Sequence, residues 1–145
     1  MKVLQLTNSA IGTVAAASYM PFGTITVNYP SNIQSNCVPT FSITSSNSNT
    51  IQINRAGTYR IDYTASVVAA DAGNILLNIL LNGTTKYTAT VTATAATTYT
   101  ITFSYDVYVP GNCCTNPLSV PAALQIQNAG VALTSGTSNV IVTRY

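Results

Sequence analysis

Alternation of polar and apolar residues with a period of two constrains the fold of this chain more than any other feature. Residues 59–67 carry Tyr, Ile, Tyr, Ala and Val at every second position, and residues 87–94 and 99–107 alternate in the same way, mostly with Thr between. No stretch has the spacing of an amphipathic helix. Thr, Val, Ile and Tyr suit a pleated, half-buried surface, so the sequence predicts an all-β protein.

The segment from Ile75 to Leu81 is apolar at nearly every position and therefore departs from this alternation. A strand of this kind is covered on both faces, so we expect its second face, with Leu76 and Leu80, to meet a partner chain or an N-terminal segment. Asn82-Gly83 follows, and both residues tolerate positive φ, which is a strong hairpin signal. We predict that residues 75–81 pair antiparallel with residues 86–94.

Turn-forming residues separate the predicted strands at short intervals, for example at residues 45–49, 55–57, 71–74 and 128–130. Many short strands with frequent turns and no helices are typical of a sandwich or barrel. We expect one domain over residues 1–145, in which residues 1–49 fit only a general pattern of strand, loop and strand. Polar residues 5 and 7–9 interrupt the apolar N-terminus, so we expect no cleaved leader.

Charged side chains are scarce, with five Lys and Arg, three Asp and Glu, no His and a net charge of +2. Five scattered basic residues make no stripe for phosphates, which argues against nucleic-acid binding. No uncharged stretch is long and apolar enough for a membrane-spanning helix. The solvated surface is therefore built from Thr, Ser and Asn, or is covered by other copies of the chain.

Three stretches together resemble the jelly-roll heads of the complement-globular-head and tumour-necrosis-factor superfamily, with bacterial exosporium and phage members as the nearest likeness. They are residues 51–61, where a strand runs through Gly57 into a strand that opens with Tyr59; the apolar strand that ends in Asn82-Gly83; and the last strand, residues 139–145. The resemblance implies a two-sheet antiparallel jelly-roll sandwich that assembles as a compact homotrimer.

The resemblance also implies display, adhesion or particle architecture rather than catalysis. The chain has no Gly-X-Y stalk and no obvious anchor, which favours a phage virion component, such as a head decoration, head fibre or fibre tip, on the virion surface beside other virion proteins. The alternative is a lectin-like head that binds a glycan or receptor on a phage, a bacterial spore or a cell surface.

Catalytic and metal sites are not expected, and no cofactor is predicted. The usual imidazole base is absent. A hydrolase built on Asp62 or Asp106 is a weaker hypothesis, and the simpler interpretation of Asp62 is an ion pair with Arg60, which shares its strand face. Calcium binding at Asp71 and Asn74 would have one carboxylate, so an ordinary Asx turn is favoured.

The three cysteines, Cys37, Cys113 and Cys114, leave two alternatives open. One is a disulfide from Cys37 to one of the adjacent pair, with the third cysteine unpaired or paired between chains. The other is three reduced thiols.

Tyrosine accounts for nine of the aromatic residues, and its ring and hydroxyl suit interfaces and sugar-facing surfaces. We expect Tyr59, Tyr63 and Tyr99 to pack in the core or at a trimer axis. Tyr108 lies on the opposite strand face and is the candidate for an exposed ligand contact.

Overall fold

The computed structural model describes residues 2–29, 39–43, 48–110 and 121–145. This part of the chain forms ten strands: β1 (Lys2–Asn8), β2 (Thr24–Tyr29), β3 (Phe41–Ser42), β4 (Ile51–Ile53), β5 (Gly57–Ala69), β6 (Gly73–Leu81), β7 (Thr84–Ala93), β8 (Thr98–Val109), β9 (Ala122–Asn128) and β10 (Leu133–Arg144). None of the described residues forms a helix long and apolar enough to cross a membrane.

The strands form two five-stranded sheets. Sheet 1 has the order β2-β1-β10-β5-β8, and sheet 2 has the order β3-β4-β9-β6-β7. All neighbouring strands are antiparallel. The predicted fold class, an all-β antiparallel jelly-roll sandwich, is confirmed.

The predicted antiparallel β6–β7 hairpin is present, and its pairing runs from Gly73 with Ala93 to Leu81 with Thr84, so the second strand begins two residues earlier than the predicted 86–94. Ile75 lies opposite Val91 and Ile79 lies opposite Tyr87, with a bulge after Ile79. Asn82 and Gly83 connect the strands at φ values of 51° and 78°. Positive φ at both central residues matches the twist of the flanking strands, so the dipeptide sets the turn as the sequence indicated.

The core lies between the two sheets and is built from alternate residues of each long strand. In β5 the buried residues are the odd-numbered positions 59–69, and in β8 they include Ile101, Phe103 and Val107. Tyr59 and Tyr63 are at most 1% exposed, so both rings are core residues of a single chain. A second chain cannot reach the two rings. Of the two predicted locations, the core and a trimer axis, burial in a single chain favours the core.

The N-terminal part of the chain is more deeply built into the fold than its sequence suggests. β1 lies inside sheet 1, between β2 and β10. The irregular segment that follows β1 makes bridges from Val14 to Leu133 and from Tyr19 to Gln127. This segment also places Met20 and Phe22 in the core, where each is at most 1% exposed.

The outer face of β6 is covered unevenly within one chain. Leu80 is 4% exposed, whereas Leu76 is half-buried. Leu80 is thus already sheltered in the isolated chain, so of the two predicted coverings, a partner chain and another segment of the same chain, it does not require the partner chain. Leu76 keeps part of its surface open, so the prediction that a partner chain covers it stays a prediction.

Asn128 holds the N-terminal segment against the end of β9. Its buried amide Nδ2 donates to the carbonyl oxygens of Val131 and Val14, at 2.9 and 3.3 Å, and its Oδ1 accepts from the Gly130 N–H at 3.2 Å. The amide thus uses both its Nδ2 donor and its Oδ1 acceptor, so a side chain that cannot donate a hydrogen bond cannot replace Asn128.

Asn128→Asp is expected to destabilise the fold by at least about 2 kcal/mol at pH 7, because it sets a buried carboxylate against carbonyl oxygens. Burial raises the pKa of the introduced carboxyl above its unfolded value, so the loss should shrink as the pH falls towards about 4. Urea unfolding at both pH values measures this. Asn74→Asp is the control, since Asn74 uses only its Oδ1, as acceptor from Thr92; an equal loss in both variants would contradict the prediction.

Candidate binding surface

The outer face of sheet 1 is made of the side chains that alternate with the core residues of its strands. On β5 these are the even-numbered residues from Thr58 to Val68, and the register places each beside an even-numbered residue of β8. The alternation that fills the core thus also builds a continuous polar face. This face is the best candidate for a functional surface.

Most hydroxyl groups along β5 and β8 are paired with each other across the strands. Ser66 and Thr100 lie 3.0 Å apart, Thr102 donates to Thr64 at 3.3 Å, and Ser104 donates to Asp62. Cross-strand pairs of this kind stabilise a sheet. Because these groups have protein partners, covering them costs less than covering unpaired polar groups.

A charged cluster, Arg60, Asp62 and Asp106, lies at one end of this face. The Arg60 Nε is 3.3 Å from the Asp62 Oδ1, and the Arg60 Nη1 is 3.9 Å from the Asp106 Oδ1. A hydrogen bond to the Tyr145 side chain and the charge of Asp62 raise the pKa of Arg60 further above its usual range. All three side chains remain well exposed, so the ion pairs contribute little to stability.

Two exposed tyrosines lie beside the charged cluster. Tyr108 on β8 is paired with Thr58 of β5, and the Tyr145 N–H donates to the Thr58 carbonyl from the other side. The two residues thus flank Thr58 on neighbouring strands, roughly 10 Å apart by strand spacing. Their exposed fractions are 66% and 67%.

A second surface feature is the edge patch, Tyr87, Phe103 and Tyr105, on the side where β7 and β8 end the two sheets. The ring of Tyr87 stacks on Tyr105, with centroids 5.2 Å apart, and lies 5.5 Å from Phe103. Tyr87 is nevertheless 37% exposed. The rings close the open side of the sandwich and still offer aromatic surface to a partner.

A third feature is the strand patch, Val27 and Tyr29, on β2 at the opposite edge of sheet 1. Both lie opposite outer-face residues of β1, whereas a bulge places the exposed Ile25 opposite the core residue Leu6. All six residues of β2 are exposed, and none is charged. An uncharged edge strand with exposed apolar side chains is a template for association. The edge patch and the strand patch are roughly 20 Å apart, since four strand spacings separate β2 from β8.

The remaining candidate residues lie apart from one another. Tyr99 is half-buried, and hydrogen bonds from the Thr94 side chain and backbone lower the pKa of its hydroxyl. Asp71 and Asn74 are exposed. Cys37, Cys113 and Cys114 lie outside the described residues, so the disulfide alternatives stay as stated.

Asp62 and Asp106, the carboxylates of the weaker hydrolase hypothesis, both lie next to Arg60. Both are on an exposed face of the sheet and form ion pairs with that arginine. This arrangement is the ion pair considered above, extended to a second carboxylate. Among the described residues no group of three or more His, Cys, Asp and Glu side chains could hold a metal ion. Sequence reasoning missed Tyr145, because its place beside Arg60 and Tyr108 depends on long-range strand pairing.

The fold has clear counterparts among solved structures. The globular domain of zebrafish complement 1qA matches with a TM-score of 0.68 and 6% identity, over 99% of this chain and 97% of that one. Murine APRIL matches with a TM-score of 0.66 and 7% identity, over 98% of both chains. The protein has the jelly-roll fold of complement-head and tumour-necrosis-factor-like proteins.

A third solved structure has the same fold. The PRD1 vertex protein P5 matches with a TM-score of 0.57 and 18% identity, over 99% of this chain and 96% of that one. No family model matches the sequence, and no curated protein matches it either. The structural similarities therefore define the fold, and function has to be argued from the surface.

Proposed function

We propose that the chain is a non-enzymatic head that assembles as a homotrimer on the surface of a phage particle, as a head decoration, head fibre or fibre tip. The observation that carries this proposal is the pair of apolar patches at opposite edges of one sandwich. The edge patch is aromatic and the strand patch is aliphatic and aromatic. Because the two patches lie at opposite edges of the sandwich, the edge patch of one chain is free to contact the strand patch of the next chain.

A contact between two different patches is heterologous, and repeated contacts of this kind close into a ring if the rotation allows. Three chains are the number that the jelly-roll-head resemblance implies. Closure would also cover the β2 edge, which otherwise invites uncontrolled pairing. The scarcity of charge then has a physical reason, because an uncharged surface is cheap to bury between copies.

The phage setting is supported by the similarity to the PRD1 vertex protein P5, which covers nearly the whole of both chains. A bacterial spore or cell surface, with exosporium heads as the resemblance, is the alternative setting. In either case, other surface proteins would anchor the head.

Val27→Arg tests where the chains meet. An unpaired charge in a buried contact costs several kcal/mol, so association should weaken by at least about 100-fold. Light scattering over a concentration series measures the change. Thr84→Arg, an exposed position beside the β6–β7 turn, is the control and should associate like the unaltered protein; unchanged association in Val27→Arg would contradict the proposed contact.

A second candidate function, recognition of a glycan or receptor, is favoured by one observation. Tyr108 is 66% exposed near the end of β8, where an aromatic ring is not needed for packing. Tyr108→Ala should therefore reduce binding to the target and leave stability unchanged.

A further inference from the structure

The charged cluster is unusual for this chain because it gathers ionised side chains on an otherwise uncharged face. Two further pairs of the β5–β8 ladder, Thr64 with Thr102 and Ser66 with Thr100, are hydroxyl groups that bond to each other. Arg60, Asp62 and Asp106 all keep substantial exposure. Their remaining donors and acceptors are open to a ligand.

The two exposed tyrosines make the same region partly apolar. A ring offers an apolar face for C–H groups and a hydroxyl for hydrogen bonding. Tyr145 is held next to the strand that carries Arg60 by the hydrogen bond from its N–H to the Thr58 carbonyl at 3.1 Å, and Tyr108 lies on β8, two residues beyond Asp106. Aromatic rings, hydrogen-bond donors and hydrogen-bond acceptors thus lie close together on one face, at two neighbouring cross-strand pairs of β5 and β8, Thr58 with Tyr108 and Arg60 with Asp106.

The sign of the charge narrows the class of ligand. One arginine and two aspartates give the cluster a net negative charge, which disfavours phosphates and other anions. A neutral polyhydroxyl ligand can accept from Arg60, donate to both carboxylates and pack its apolar face on a ring.

We propose that Tyr108, Tyr145, Arg60 and Asp106 form a binding site for neutral glycans, with Asp62 holding Arg60 in position. The proposal deepens the second candidate function, and it stands apart from the homotrimer. The site is open and shallow, so each copy binds weakly. Copies displayed together on one surface raise the overall binding strength by about 100-fold or more through avidity, whatever their number in the assembly.

Binding to immobilised neutral oligosaccharides, ending in glucose, galactose, mannose or N-acetylglucosamine, tests the site, with sialylated counterparts on the same surface. At least one neutral glycan should bind, and its sialylated form should bind less. Tyr108→Ala, Tyr145→Ala and Asp106→Asn should each weaken binding by about tenfold. Tyr19→Ala, an exposed tyrosine outside the site and both patches, is the control and should bind normally.

Three results would overturn the site. They are the absence of binding to every neutral glycan, a preference for the sialylated forms, and loss of binding in Tyr108→Ala alone while Tyr145→Ala and Asp106→Asn bind normally. The last result would leave the second candidate function standing without this site. Mass measurements and thermal melts of the same samples separate loss of the site from loss of the homotrimer or of the fold.

Discussion

Gly23→Ala is expected to destabilise the folded chain by about 2–5 kcal/mol, from left-handed backbone strain and overpacking together. Gly23 has a φ of +83°, a region that side chains with a Cβ rarely adopt. A Cβ at this position would also collide with the Thr7 carbonyl oxygen and lie 2.7 Å from the Asn8 Cα. Both neighbours belong to the backbone of β1, which is held in sheet 1 on both sides and cannot move aside.

Gly12→Ala separates the two causes. Gly12 has a similar φ of +70°, but a Cβ there would meet no atom within 4 Å. Its replacement should cost only the backbone strain, about 1–2 kcal/mol. Urea unfolding of both variants measures the difference. An equal loss of unfolding free energy in both variants would show that the β1 backbone moves away from the new Cβ at Gly23, contrary to the close contact described.

Phe22→Ala is expected to cost about 3–5 kcal/mol, the range for removing a large buried ring. Phe22 is 1% exposed and lies in the segment that leads from β1 to β2. Its N–H donates to the Ser48 carbonyl at 2.9 Å, so the backbone around the ring is also fixed. The surrounding residues therefore cannot collapse fully into the space that the ring leaves.

Tyr19→Ala is the matched control, because Tyr19 lies in the same segment and is 38% exposed. We expect its replacement to change stability by less than about 1 kcal/mol. Thermal or urea unfolding of the pair gives the comparison. A small loss in Phe22→Ala would mean that the segment after β1 is not part of the core.

The long central strands could be predicted from the sequence because their signals are local. Residues 59–67 and 99–107 alternate strictly, and Asn82-Gly83 specifies a two-residue hairpin. The first strand could not be predicted with the same ease. Lys2–Asn8 owes its place to pairing with β10, more than 130 residues away, and local alternation carries no information about that partner.

The binding surface was only partly predictable for the same reason. The pairing of Arg60 with Asp62 follows from their spacing on one strand, and Tyr108 was placed on the outward face by alternation alone. Asp106 and Tyr145 join them through the register of β8 and β10 with β5. For Leu80, an apolar residue on the outer face left a partner chain and an N-terminal segment as alternative coverings, and the isolated chain already buries it.

Association of the sandwich with its own copies underlies the proposed function, and sedimentation equilibrium of the unaltered protein tests this association most directly. Over a micromolar concentration series, we predict a particle with three times the 15.2 kDa chain mass. A mass of a single chain throughout the series would contradict the account.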